Sequence, residues 1–156
     1  MNKKGITLIE LVIVLVIICI GAALMVPGFG TWLPHYRLKG AARDVVSVMR
    51  TAQTKAVSNN IRYGVAFDTA NQQFQLYRNS GGLGDFQVDG SATSLPTGVT
   101  FNGIAGLPTN GPSGQAIIRF LPDSTAEANG TINLINSKNT TKSIQVSMST
   151  GRIRVQ

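Results

Sequence analysis

The chain has 156 residues, which suits one domain of ordinary size. Hydrophobic residues make up 43% and charged residues 13%, about half the usual share, which excludes a disordered polyampholyte. One cysteine and one histidine exclude a disulfide framework, a thiolate metal cluster, haem ligation and Cys–His chemistry, so no cofactor or metal is expected, while the formal charge of +7 favours acidic partners.

The apolar content is concentrated at the start. Met1–Gly5 is a short basic leader carrying Lys3 and Lys4, and from Ile6 to Val26 only Thr7 and Glu10 interrupt an apolar run. As a helix this run would span roughly 31 Å, about one hydrocarbon core. Its many Ile and Val residues suit a strand in water, but in lipid the backbone must satisfy its own hydrogen bonds, so a helix is expected. The run is longer than a signal-peptide core, and no A-x-A-like site followed by a polar start ends it. It therefore reads as a retained transmembrane helix over residues 6–26.

Glu10 is the anomaly in that helix. A carboxylate deep in an apolar segment costs about 2.5–3.5 kcal/mol on the insertion scale. A free amine produced by cutting ahead of Ile6 would be the one nearby cation, and an amine on a neighbouring chain would be better placed than the chain's own. At about 4 Å and an effective dielectric near 20, such a pair gains roughly 4 kcal/mol.

The segment Gly5-Ile6-Thr7-Leu8-Ile9-Glu10-Leu11 resembles the class III leader junction of type IV pilins and type II secretion pseudopilins. The resemblance implies cleavage between Gly5 and Ile6 by a prepilin peptidase, N-methylation of Ile6, and pairing of Glu10 with a neighbouring subunit's N-terminus during filament assembly. It also puts Pro27 where many members carry a helix-kinking proline. Ile6 departs from the Phe usual at that position, which bears on methylation more than on cleavage.

Pro27-Gly28-Phe29-Gly30 should break or loosen the helix. Trp32, Tyr36 and Arg37 then form an aromatic and basic cluster suited to a membrane boundary, with His35 an exposed neighbour rather than a catalyst. Leu38, Ala41, Ala42, Val45, Val48, Met49, Ala52 and Ala56 recur at helical spacing and predict an amphipathic helix through about Ser58, its polar face carrying Arg43, Ser47, Arg50 and Thr54. Residues 27–58 thus read as kink and amphipathic helix, and Asn59-Asn60 as its stop.

From Ile61 the period becomes two, and residues 59–156 read as a β-rich globular domain, which the pilin resemblance implies is periplasmic. Ile61–Phe67 and Gln73–Tyr77 predict a hairpin about Asp68–Asn71. Residues 79–114 read as glycine-rich loops around short strands near Phe86 and Val99–Phe101. Strands follow at Ala116–Leu121, Thr131–Ile135, Ser143–Met148 and Arg152–Val155. The expected class is α+β, a long N-terminal helix continuing into an amphipathic helix packed on a small antiparallel sheet domain. This order resembles the globular domain of the FimT/GspH branch of pseudopilins.

Enzymatic chemistry is not expected. Gly81–Gly84 lacks the Lys-Ser/Thr of a phosphate loop, Asp85 and Asp89 read as solvated loop carboxylates, and His35 has no acid–nucleophile pair beside it. The basic C-terminus remains: no acidic residue follows Glu127, while Lys138, Lys142, Arg152 and Arg154 do. Strand alternation puts Arg152 and Arg154 on one face and Ile153 on the other. These charges read either as a solvated edge strand protected against aggregation or as a phosphate-binding stripe. The Gly151-Arg152-Ile153-Arg154 tail is similar to that through which FimT-type minor pilins bind DNA.

The leading expectation is a non-catalytic minor pilin or pseudopilin in the bacterial inner membrane, its globular domain periplasmic, its partners the peptidase and other filament subunits. Secretion pseudopilus and type IV pilus both stay open, a DNA-uptake receptor is the alternative, and a monotopic membrane protein unrelated to filaments comes third. Lys3 and Lys4 are matched by Arg37, Lys39 and Arg43 beyond the helix, so charge asymmetry does not set the orientation.

Overall fold

The computed structural model describes residues 7–79, 81 and 84–156, with the backbone alone for residues 24–31. They fall into two compact units, one ending at Leu33 and one comprising Pro34–Gln156, and helix α1 (Leu8–Asn59) contributes to both.

Thr7 begins α1. Its carbonyl accepts from the amides of Glu10 at 3.1 Å and Leu11 at 3.3 Å, and its Oγ1 accepts from the Glu10 amide at 3.4 Å. Apolar side chains from Leu8 to Ile20 are exposed along this unit. Among the described residues no helix is long and apolar enough to cross a membrane. The fully described part of the apolar run ends at Ala23, short of the about 20 residues that a span requires. The helix runs unbroken through Pro27–Gly30, against the expected interruption. Proline removes one amide donor, and here that loss leaves helical backbone on both sides.

In the second unit, Leu38, Ala41, Ala42, Val45, Met49, Ala52 and Ala56 are buried at three- and four-residue intervals. The small alanines let the helix backbone approach what it packs on. Asn60 takes a left-handed φ of 52°, a conformation Asn tolerates, and ends the helix where the sequence predicts.

Among the described residues nine strands follow, all paired antiparallel, in two sheets that together form the small antiparallel domain expected. The first sheet contains β1 (Arg62–Asp68), β2 (Gln73–Asn79), β3 (Gln87–Val88), β4 (Thr93–Ser94) and β6 (Ala116–Phe120). Its order is β3-β2-β1-β6, with β4 also on β2. The second contains β5 (Val99–Ala105), β7 (Gly130–Asn136), β8 (Thr141–Val146) and β9 (Ile153–Val155), in the order β5-β7-β8-β9. The sequence misses β4, which lies in a polar stretch, and the part of β5 beyond Phe101, which follows a register shift before Ile104.

The β1–β2 turn is closed by Asp68. Its Oδ1 accepts from the amides of Ala70 and Asn71, both at 3.0 Å, and its Oδ2 accepts from Asn71 Nδ2 at 2.7 Å. Those donors favour the carboxylate, and they hold the Asp68 pKa below its ordinary value. One apolar core takes side chains from α1 and from both sheets, including Val65, Phe74, Ile132 and Ile144. Phe67 of β1 and Phe101 of β5 meet edge to face at 5.8 Å, joining the two sheets.

Candidate functional site

The segment between β6 and β7 stitches the sheets together. The Glu127 amide donates to the Arg119 carbonyl at 2.9 Å, and the Ala126 amide donates to the Met148 carbonyl at 3.0 Å. Below it, Gln53 of α1 donates through Nε2 to the Ser124 carbonyl at 2.8 Å, Ser124 Oγ at 2.9 Å and the Gly151 carbonyl at 3.2 Å. Gly151 has a φ of +59°, and a Cβ there would sit 2.0 Å from the Ser124 oxygen and 2.6 Å from Gln53 Nε2. Only glycine fits. The first residue of the basic tail is therefore fixed by packing, whatever the arginines after it do.

Beyond Gly151, β9 pairs Arg154 with Gln145, Gln145 pairs with Thr131, and Thr131 with Ala105, a row across the outer face of the second sheet. Arg152 lies on the same face by alternation. Both arginines are exposed and line an open groove of about 690 Å³ together with Gly106, Thr131, Gln145 and Ser147. No carboxylate side chain is among its lining residues.

The other two basic candidates lie elsewhere. Lys142 is opposite Leu134 and shares its strand face with buried Ile144, so β8 turns it away from the arginines. Lys138 is in the β7–β8 turn, where Asn136 Oδ1 accepts from the amides of Lys138 and Thr140, both at 2.9 Å. The four cations do not form one stripe.

Of the N-terminal candidates, Gly5 and Ile6 lie outside the described residues, and Pro27 is described by its backbone alone. Glu10 is exposed in the first turn of α1. The helix dipole favours a carboxylate there by about 0.3–1 kcal/mol, well short of the cost of placing it in lipid. His35 is exposed. Among the described residues no three His, Cys, Asp or Glu side chains converge to hold a metal.

Asp89 is not the solvated loop carboxylate expected. Its Oδ2 accepts from Lys55 Nζ of α1 at 2.9 Å, and its amide donates to the Leu76 carbonyl at 3.0 Å. The Lys55 hydrogen bond holds the Asp89 pKa below its ordinary value, with a lesser contribution from the Tyr63 hydroxyl. Arg119 of β6, absent from the sequence expectations, is a second such clip. Its guanidinium is buried, with Nη1 donating to Glu127 at 2.6 Å and Nη2 to Asn110 Oδ1 at 2.7 Å. A single arginine in the apolar run Ile117–Phe120 was the signal that could have found it.

The fold has known counterparts. It is similar to the minor pseudopilin EpsH from the type 2 secretion system of Vibrio cholerae, with a TM-score of 0.60 and 14% identity over 77% of this chain and 96% of that one. It is also similar to the type IV minor pilin FimU of Pseudomonas aeruginosa, with a TM-score of 0.59 and 14% identity over 78% and 90%. No curated protein matches the chain. Residues 1–26 match the prokaryotic N-terminal methylation motif. Residues 41–151, from the buried face of α1 to the glycine ahead of Arg152, match the type II transport protein GspH model. A match over that much of the chain settles its family: the chain belongs to the type II transport protein GspH family.

Proposed function

We propose that this chain is a non-catalytic pseudopilin subunit that assembles into a type II secretion pseudopilus and supports protein export across the outer membrane. In this reading a prepilin peptidase cuts between Gly5 and Ile6, Ile6 is N-methylated, and residues 6–26 hold the chain in the bacterial inner membrane with the second unit in the periplasm. Pro27 bends the helix without interrupting it, and the Glu10 carboxylate pairs with a neighbouring subunit's new amine. The carrying observation is the presence on one chain of a methylation motif over residues 1–26 and the GspH match over 41–151. Glu10 supports it, since the roughly 4 kcal/mol available from an amine at about 4 Å outweighs the 2.5–3.5 kcal/mol cost of a carboxylate in lipid. The test is in-cell cross-linking of Glu10→Val. The variant should reach the membrane as well as wild type and lose cross-links to other filament subunits. Undiminished cross-linking contradicts the reading.

A second reading rests on the groove at Arg152 and Arg154, whose lining residues include two exposed guanidinium groups and no carboxylate. The same surface suits a DNA backbone and would make the chain a DNA-binding minor pilin. With Lys142 on the other strand face, two cations rather than four define it, so the slope of log K against log salt should be about −2. No aromatic residue follows Phe120, so single strands should gain nothing from stacking. Fluorescence titration of the chain in detergent micelles against duplex DNA at low salt tests it. Arg152→Gln with Arg154→Gln should abolish binding, and equal binding by both proteins contradicts it.

A further inference from the structure

Strand β9 ends the second sheet, and its two faces open on different cavities. Arg152 and Arg154 line the groove already described, while Val155, on the opposite face, lines another of about 620 Å³ against α1. Arg43, Val46, Ser47 and Arg50 form the helical side of that second groove, with Lys55 at its far end. The register sets what the strand offers there. Gln156 exchanges both backbone hydrogen bonds with Ser143, at 2.8 and 3.2 Å, and the Ser147 amide donates to the Arg152 carbonyl at 3.0 Å. Alternation then turns the amides and carbonyls of Ile153 and Val155 outward, to an edge that no other strand covers among the described residues.

We propose that this edge and groove bind an extended acidic segment of a different protein, which adds as a strand to β9 and lies along α1. The proposal deepens the pseudopilin reading and rests on it. Val46 and Val155 supply an apolar floor, the latter 46% exposed. The helical wall is cationic: Arg43 and Arg50 are exposed, neither forms an ion pair among the described residues, and the Lys55 charge is taken by Asp89. No carboxylate lines the groove, and neighbouring Asp44 is not part of it. Arg43 and Arg50 are two helical turns apart, roughly 10 Å, within reach of acidic side chains on one face of a strand. Unpaired edge groups would supply main-chain affinity and the arginines the preference for acid. A second copy fits poorly. Pairing β9 with β9 would set Arg152 and Arg154 against the same residues of a chain whose net charge is +7.

The test uses the full chain, isotope-labelled in detergent micelles, and the peptide Thr-Glu-Thr-Val-Thr-Glu-Thr. Controls are the same peptide with Lys for Glu, and the acidic peptide N-methylated at the amides that would face β9. The acidic peptide should slow hydrogen exchange at the Ile153 and Val155 amides at least tenfold at saturation. The lysine and N-methylated peptides should bind at least tenfold more weakly. Arg43→Glu with Arg50→Glu, both exposed and so expected to fold, should reverse the preference towards the lysine peptide. Equal binding of acidic and basic peptides, unprotected Ile153 and Val155, or an unreversed preference overturns the proposal. Concentration-dependent protection of those amides without peptide places a second copy at the edge and overturns it too. Leader cleavage and subunit cross-linking are scored in cells without peptide. A processed, assembled chain that ignores the peptide therefore sinks this proposal alone, and an unprocessed chain sinks the pseudopilin reading.

Discussion

Arg119 of β6 is 1% exposed in its side chain and faces Glu127 at 2.6 Å, while Glu127 itself is 34% exposed. A cation is thus fully desolvated against a carboxylate that keeps contact with water. Asn110 takes the second guanidinium nitrogen, the Phe86 ring lies 5.4 Å from Cζ, and Nε has no hydrogen-bond acceptor among the described residues. The arrangement ties the segments before β3, before β6 and before β7 to one side chain.

Removing the carboxylate alone should therefore be costly. Glu127→Ala leaves a buried charge with no anionic partner, held by Asn110 and the Phe86 ring, and it should destabilise the chain by about 2 kcal/mol or more, short of the about 3–5 kcal/mol typical when both partners are buried. Arg119→Met combined with Glu127→Leu should cost less than Glu127→Ala, because no uncompensated charge remains. Urea unfolding in detergent micelles checks both, and a double variant less stable than the single one contradicts the account.

The Gln53 clip predicts a coupled pair. Gly151→Ala forces a left-handed β-carbon against the Ser124 carbonyl and should cost at least about 1–2 kcal/mol. Gln53→Ala frees the Ser124 and Gly151 carbonyls and should cost about 1–3 kcal/mol. Since both changes break the same contact, the combined variant should lose less than the sum. Strict additivity in the unfolding free energies would show that the two residues act separately.

Acid stability should trace three aspartates. Asp68 and Asp123 have pKa values lowered chiefly by hydrogen bonds from Asn71 and Thr125, and Asp89 by that from Lys55. Each folded value lies below the ordinary 3.8. Their stabilisation is thus fully present above that value and is lost as pH falls through the lower folded values. Thermal melts should decline below about pH 4 from these groups and not above about pH 5. Asp89→Asn should flatten part of that decline, and an unchanged acid slope in the variant contradicts the assignment.

Local patterning made the helix and the first hairpin legible. The alanine-rich stripe from Leu38 to Ala56 has one period, Asp68 carries its own turn chemistry, and Asn59-Asn60 marks the stop. What the sequence hid depends on partners far along the chain. Whether β5 joins β1 or β7 is decided across many residues, so the division into two sheets is not written in any local pattern. The Arg119–Glu127 and Lys55–Asp89 pairs form only after folding, which is why Asp89 read as solvated. Lys142 is a different case: the alternation that puts both arginines on one face also assigns Lys142 to the face of Ile144, away from them. Proline's local rule over-reached as well, since α1 continues through Pro27.

The central claim is that this chain is a processed filament subunit, and the mass of its N-terminus tests it most directly. Purified from the membrane fraction of cells carrying the peptidase, the protein should begin at Ile6 with one added methyl group. Gly5→Leu should keep the leader, because a bulky side chain blocks the close backbone approach that cleavage requires. Wild-type protein that retains Met1–Gly5 in those cells would contradict the account.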